Sequence, residues 1–321
     1  VMVILGTSDL VWTGRGLEEN MGDAFRRIDE IVKVEDLNFL EVVRAFPEYS
    51  SSECIRIYGV LGGVPGYLNR WDTGKDFKEN ICNLVLSEDG YLYREAEALI
   101  SHELRELSVY NTILSYIAQG YTKLNELFRE TGFSRAKISV YMKNLGQFDI
   151  VEKLVSFESG GWENAKKGVY QIRNTYVNFW YKFVFTHLSD LYRMEPGEFY
   201  DRFIEPELDV YLSRYFRNVC MEYLGLLDKI GRLPFAIHKM GTWVGKTGNI
   251  DIIAQSTVRQ NIIGLCNWDR PALTAEMCAD LFDAMKKAKL TSKHYYLFSA
   301  TTFDENLVRQ MKGNPSFTMI D

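Results

Sequence analysis

The stretch Ser134-Arg135-Ala136-Lys137-Ile138-Ser139-Val140-Tyr141-Met142-Lys143-Asn144-Leu145, with Ile150-Val151-Glu152-Lys153-Leu154-Val155 and Gly168-Val169-Tyr170-Gln171-Ile172 after it, decides how the middle of this chain folds. Ile138, Tyr141, Met142 and Leu145 recur at i, i+3, i+4 and i+7, which sets one apolar stripe along a helix. The two later runs are β-prone and are parted by the turn-rich Ser159-Gly160-Gly161, so they predict a two-stranded hairpin. Two shorter helical patterns come first: Tyr110-Ile113-Leu114-Ile117, then Leu124-Leu127-Phe128 behind a Thr122 cap, with Gly120 and Gly132 as breaks. Three helices and a hairpin in this order predict a winged helix over residues 103–175.

With that stripe turned inward, the opposite face of the third helix carries Ala136, Lys137, Ser139, Val140, Lys143 and Asn144, with Arg135 in the first turn. Lys and Arg neutralise phosphates while Ser and Asn reach base edges, so this is the candidate DNA-binding face. Lys153, Lys166, Lys167 and Arg173 place further charge on the wing. Contact with double-stranded DNA through such residues is dominated by phosphate and falls steeply with salt. The same helix also fits a winged helix used for protein contact or as a spacer, its basic face simply solvated.

Away from this unit the grammar changes. Residues 1–45 offer a strand candidate at Val1–Leu5 and another at Ile31-Val32-Lys33-Val34, which reads as the terminal strands of an α/β sheet. Residues 46–102 carry helical stripes such as Ile55, Ile57, Tyr58 and Leu61 before the Gly62-Gly63-Val64-Pro65 break, a helical lid. Residues 176–234 form an aromatic helical connector in which Phe179, Trp180, Tyr181, Phe183 and Phe185 read as a buried seam rather than a base-stacking platform. Residues 235–321 return to strands at 250–254, 261–266 and 295–299 with a helix at 275–289, a small α/β domain.

Composition bounds the function. A chain of 321 residues with 46% apolar content can bury more than one core. The net charge of −6 excludes a surface that is basic throughout, so nucleic acid would have to meet a local patch. Cys54, Cys82, Cys220, Cys266 and Cys278 form no close pairs, and His102, His187, His238 and His294 are scattered, so neither a disulfide framework, a zinc site nor a catalytic triad is read. The expected setting is the cytoplasm, with no membrane span.

The ordered set Gly6-Thr7-Ser8, Gly62-Gly63-Val64-Pro65-x-Tyr67-Leu68, Val109-Tyr110-x-x-Ile113-Leu114-x-x-Ile117-Ala118, Phe179-Trp180-Tyr181-x-Phe183-Val184 and Ile250-Asp251-Ile252-Ile253-Ala254 resembles the archaeal-type ATPases of the signal-transduction class of P-loop NTPases. The resemblance covers almost the whole chain. It implies the end of a P-loop ATPase sheet with a helical lid, then a winged helix, then a small C-terminal α/β domain similar to restriction-type nucleases. The family's phosphate loop and acidic strand have no counterpart in these residues, so the chain is expected not to hydrolyse ATP alone, and ATP with Mg²⁺ is expected only alongside that missing part. The resemblance places Thr7 and Ser8 beside a γ-phosphate, Arg27 against phosphate charge, and Gly63 and Pro65 in a turn that approaches the nucleotide base. Each also fits a plainer role: the end of a strand, a surface charge, the start of a helix.

Restriction-type nucleases set an Asp on one strand and Glu-x-Lys on the next, so that both carboxylates hold Mg²⁺ and the lysine orients water. Asp251 matches the first, but Leu265 and Asn267 stand in Gly264-Leu265-Cys266-Asn267-Trp268 where the family shows Gly-Glu-Cys-Lys-Trp. A helical Phe-Glu reads Phe216-Arg217. The domain is therefore expected to be a vestigial nuclease with no catalytic residue and no metal, residual Mg²⁺-dependent cleavage through Asp251 being the competing case. The expected role is nucleotide-gated binding of DNA or a partner, a protein or a second copy of the chain; the alternative is a non-enzymatic protein-interaction module.

Overall fold

Capping chemistry sets the helix boundaries in the first third of the chain. The computed structural model describes residues 2–7, 17–104, 106–157, 168–245 and 248–321, without the side chains of His102 and Glu103. Helix α1 (Leu17–Met21) runs into a 3₁₀ turn at Gly22–Arg27. Helices α2 (Phe39–Ala45), α3 (Ser51–Leu61) and α5 (Phe77–Ile81) each start at a capping box, Asn38 with Glu41, Ser50 with Glu53 and Asp76 with Glu79. Each box satisfies backbone N–H groups that a helix start leaves without partners. Between them α4 (Pro65–Leu68) begins on its proline, and α6 (Glu95–Glu103) closes the set.

The strands expected at 1–5 and 31–34 are not found among the described residues there. Met2–Leu5 and Ile31–Val34 run without regular structure, with Met2, Ile4 and Val34 at 84%, 81% and 89% exposure. A strand is stabilised by a ladder and a covered face, and among the described residues neither reaches these segments.

Helices α7 (Leu107–Ala118), α8 (Leu124–Thr131) and α9 (Arg135–Gln147) occupy the three helical stretches of the middle region. Strands β1 (Val151–Leu154) and β2 (Val169–Ile172) pair antiparallel, Val151 opposite Ile172 and Leu154 opposite Val169. Ile113, Leu114, Leu127, Ile138, Leu145 and Ile172 are fully buried together and hold the five elements as one unit. The Ser159-Gly160-Gly161 turn lies outside the described residues.

The connector is broken where the sequence suggested a smooth helical tract. Helix α10 (Thr175–Phe179) passes through a π turn and a 3₁₀ turn to α11 (Leu188–Leu191), α12 (Pro196–Phe199), a second π turn and α13 (Glu205–Lys229). Pro196 and Pro206 stand in the first turns of α12 and α13, where a missing N–H costs nothing. Tyr176, Phe179, Trp180, Tyr181 and Phe183 are buried, so the aromatic run is a packing seam.

Helix α13, with 25 residues and about 37 Å of length, lies against a five-stranded sheet. The strands are β3 (Lys239–Val244), β4 (Asn249–Gln255), β5 (Asn261–Asn267), β6 (His294–Ser299) and β7 (Phe317–Ile320), hydrogen-bonded in that order. Pairs β3–β4 and β4–β5 are antiparallel; β5–β6 and β6–β7 are parallel, with α14 (Ala275–Ala288) and α15 (Glu305–Met311) in their crossovers. Ile252, Ala254, Ile262 and Phe298 join the core shared with α13, while Ile250, Ile253 and Ile263 pack against Leu281, Ala284 and Met285 of α14. The molecule is thus a mixed α/β chain in which α13 bridges α3, the β1–β2 hairpin and the sheet.

Candidate nucleic-acid interface

From Gly132 to Phe148 the sequence holds three cations, Arg135, Lys137 and Lys143, and no carboxylate. Ser134 accepts the Lys137 N–H and starts α9, and burial of Ile138, Met142 and Leu145 turns Arg135, Ala136, Lys137, Ser139, Val140 and Lys143 outward as exposed residues. Two of the cations are held by aromatic rings. The Arg135 guanidinium lies 4.3 Å from the Phe128 ring centre while its Nε donates to Asn125 at 3.0 Å, and Lys137 Nζ lies 4.7 Å from the Phe133 ring centre. Cation–π contact limits side-chain freedom without neutralising the charge. Among the described residues no ion pair joins Arg135, Lys137 or Lys143 to a carboxylate. An ordered face of uncompensated positive charge results.

Two members of the expected face behave differently. Asn144 is half-buried and donates to the Tyr110 hydroxyl at 2.9 Å, so its amide is engaged inside the unit. It lies on the α7-facing edge of α9 beside Tyr141, whose ring centre is 4.6 Å from that of Tyr110 and whose hydroxyl donates to Glu106. These residues with Leu104 and Val140 line a cleft of about 420 Å³ beside the basic face, with Glu106 as its carboxylate. Arg173, expected to add charge to the wing, is neutralised: it pairs with Asp149 at 3.0 Å and Glu35 at 3.8 Å. Lys166 and Lys167 lie outside the described residues.

The residues that the resemblance assigned to nucleotide lie on separate elements. Thr7 and Arg27 are both exposed, Arg27 at the end of the 3₁₀ turn, and Ser8 lies outside the described residues. Pro65 starts α4. Gly63 is glycine because of the chain itself: a Cβ there would lie 1.8 Å from the Leu37 carbonyl oxygen, and Leu37 N–H donates to Gly63 C=O at 2.8 Å. At Gly63 the close approach that the resemblance assigned to a nucleotide base is made by the backbone of Leu37.

Gly63 instead seats a strap. Lys33 pairs with Asp149 at 3.0 Å and with Glu35 at 3.2 Å, in the same network as Arg173. Four residues beyond Glu35, the Phe39 N–H donates to Glu222 Oε2 at 2.9 Å while the Tyr58 hydroxyl donates to Oε1 at 3.0 Å. Residues 33–39 thereby tie the base of the β1–β2 hairpin to α3 and α13.

Of the four residues that the resemblance assigned to a nuclease core, Asp251 and Arg217 meet while Leu265 and Asn267 face elsewhere. Asp251 Oδ2 accepts the Cys266 N–H at 3.0 Å, one step past the end of the β4–β5 ladder at Ile252–Gly264, and Oδ1 faces Arg217 of α13 at 3.9 Å. Burial pushes the Asp251 carboxyl above the usual carboxylate range, with the Cys266 N–H and Arg217 pulling it down. Burial, with Cys220 of α13 beside it, pushes the Cys266 thiol well above its ordinary value and so keeps it protonated. Leu265 points the other way, into the α14 side. Asn267 is buried and donates to Ser299 Oγ, Thr301 Oγ1 and the Arg270 carbonyl at 3.0 to 3.1 Å, closing the loops at the ends of β5 and β6. Among the described residues no group of three His, Cys, Asp or Glu side chains is placed to hold a metal ion.

Residues 180–280 match a family described as archaeal and bacterial proteins of unknown function, a span from the aromatic seam through α13 and β3–β5 into α14. An uncharacterised protein of Methanocaldococcus jannaschii is 28% identical over 253 residues, which is 79% of this chain and 56% of the relative, so the chain spans about half that relative's length. No solved structure matches. No helix among the described residues is long and apolar enough to cross a membrane.

Proposed function

We propose that this chain is a duplex-DNA-binding module of an archaeal-type P-loop ATPase, in which α7–α9 and the β1–β2 hairpin act as a winged helix and the five-stranded sheet is a nuclease-like domain without catalysis. The observation that carries the reading is the α9 face, where Arg135, Lys137 and Lys143 have no ion-pair partner among the described residues and two of them lie on Phe128 and Phe133. A helix of this kind enters the major groove while its cations engage phosphate, and the affinity is set mainly by release of counterions. The sheet supports the unit mechanically. Asp251 ends a ladder, Leu265 packs a core and Asn267 closes loops, which supports a structural rather than a catalytic role for these residues. Nucleotide gating belongs to the same reading only through the strap at 33–39, which would pass movement of the chain before it to the winged helix.

Fluorescence anisotropy of labelled duplex DNA, with and without Lys137→Glu/Lys143→Glu, tests the proposal. Binding that the double substitution weakens strongly at a given salt concentration supports it; failure of the wild-type chain to bind at low salt overturns it. Incubation of the same duplex with Mg²⁺ or Mn²⁺ is expected to give no cleavage. A second reading, protein contact, has its own observation in the segments Met2–Leu5 and Ile31–Val34, which present exposed apolar side chains to a partner.

A further inference from the structure

We infer that α9 reads thymine: Ala136 and Val140 form a narrow apolar strip, framed by the basic residues, that contacts the 5-methyl groups of thymines in the major groove. The inference rests on the duplex-binding reading and assigns the specificity that reading leaves open. Ala136 and Val140 are one helical turn apart, i and i+4, and so lie on one line of the helix surface. Both are exposed, Val140 at 56%, on an element whose other apolar residues Ile138, Met142 and Leu145 are buried. They occupy the first two turns, the part of a recognition helix that meets base edges. Arg135 and Lys137 lie beside Ala136, and Lys143 lies one turn beyond Val140, so a polyanion drawn to the cations is brought onto the strip.

The neighbouring side chains narrow what can be read. Hydrogen-bonding readout of guanine or adenine needs Arg, Lys, Asn or Gln free to reach a base edge. Here Asn144 is spent on Tyr110, Arg135 is held between Asn125 and Phe128, and Lys137 rests on Phe133, which leaves Lys143, one turn beyond Val140, as the outward cation for phosphate. What faces outward between the cations is two apolar side chains and the Ser139 hydroxyl. Apolar contact in the major groove has one partner among the four bases, the thymine methyl, which uracil lacks.

The test compares two short A·T-rich duplexes of identical sequence, one with thymine and one with deoxyuridine throughout, in anisotropy titrations of the full chain and of Val140→Ser. For the wild type the uracil duplex is expected to bind about fourfold more weakly per contacted methyl, the factor that about 0.8 kcal/mol represents. Val140→Ser, a change at an exposed site, should lower the discrimination between the two duplexes by the share that Val140 contributes, with Ala136 still in place and the salt dependence intact. Equal wild-type affinity for both duplexes, or discrimination undiminished in Val140→Ser, overturns methyl readout while duplex binding stands. Absence of binding to either duplex at low salt removes the duplex reading itself and leaves the α9 face to a protein partner.

Discussion

Gly63 and Asp251 show how single residues are committed to the fold. At Gly63 the missing side chain makes room for Leu37 backbone, and Gly63→Ala must displace main chain on both sides. A loss of about 2 kcal/mol or more is expected in urea unfolding. Gly66→Ala is the control, since a Cβ there meets nothing within 4 Å, and it should be neutral or slightly stabilising. Asp251 makes a pH prediction. Its carboxyl is raised in the fold, so the native state holds a proton more tightly than the unfolded chain. The stability this contributes is complete below the ordinary aspartate value and is lost as pH rises through the raised one. Asp251→Asn does not titrate, so its stability relative to wild type should increase from pH 4 to pH 7; a difference that stays flat or falls would count against the assignment.

Among the elements, those with a strong local signal were legible and those defined by partners were not. The stripe Ile138, Met142 and Leu145 placed α9, and the flanking glycines placed its neighbours, because helix periodicity and breaks are written locally. Strands β3 and β7, at the two edges of the sheet, went unread: Lys239-Met240-Gly241 and Phe317-Thr318-Met319 show only partial burial, and what makes them strands is pairing with β4 and β6. The reverse error occurred at Val1–Leu5 and Ile31–Val34, where apolar β-prone residues suggested strands that find no ladder among the described residues. Within the site, the charges of α9 could be read from a helical wheel, but the turning of Asn144 onto Tyr110 and of Arg173 onto Asp149 depends on residues distant in sequence. Caps belong to this scale as well. Ser50 accepts the Glu53 N–H while Glu53 returns to Ser50 N–H at 2.7 Å, and Ser50→Ala should cost about 1 kcal/mol in thermal or urea unfolding.

For the whole molecule, α13 is the member through which the parts communicate. Glu222 holds the strap and α3, Arg214 donates to the Ile172 carbonyl at the end of β2, Arg217 faces Asp251, and Asp209 accepts from both Arg56 and Trp268. Glu222→Gln leaves one oxygen for two donors, and a loss of about 1–3 kcal/mol is expected, with urea unfolding as the readout. That loss should appear without change in DNA affinity, since Glu222 is remote in role from the basic face. The central claim is that an acidic chain, net charge −6, meets duplex DNA through the local cations of α9. The salt dependence of binding tests it most directly. Log affinity against log salt concentration should be steep and linear for the wild type, and Lys137→Glu/Lys143→Glu should lower the slope by about two, one for each phosphate no longer neutralised. A slope unchanged by the double substitution would place the DNA elsewhere on the molecule and contradict the account.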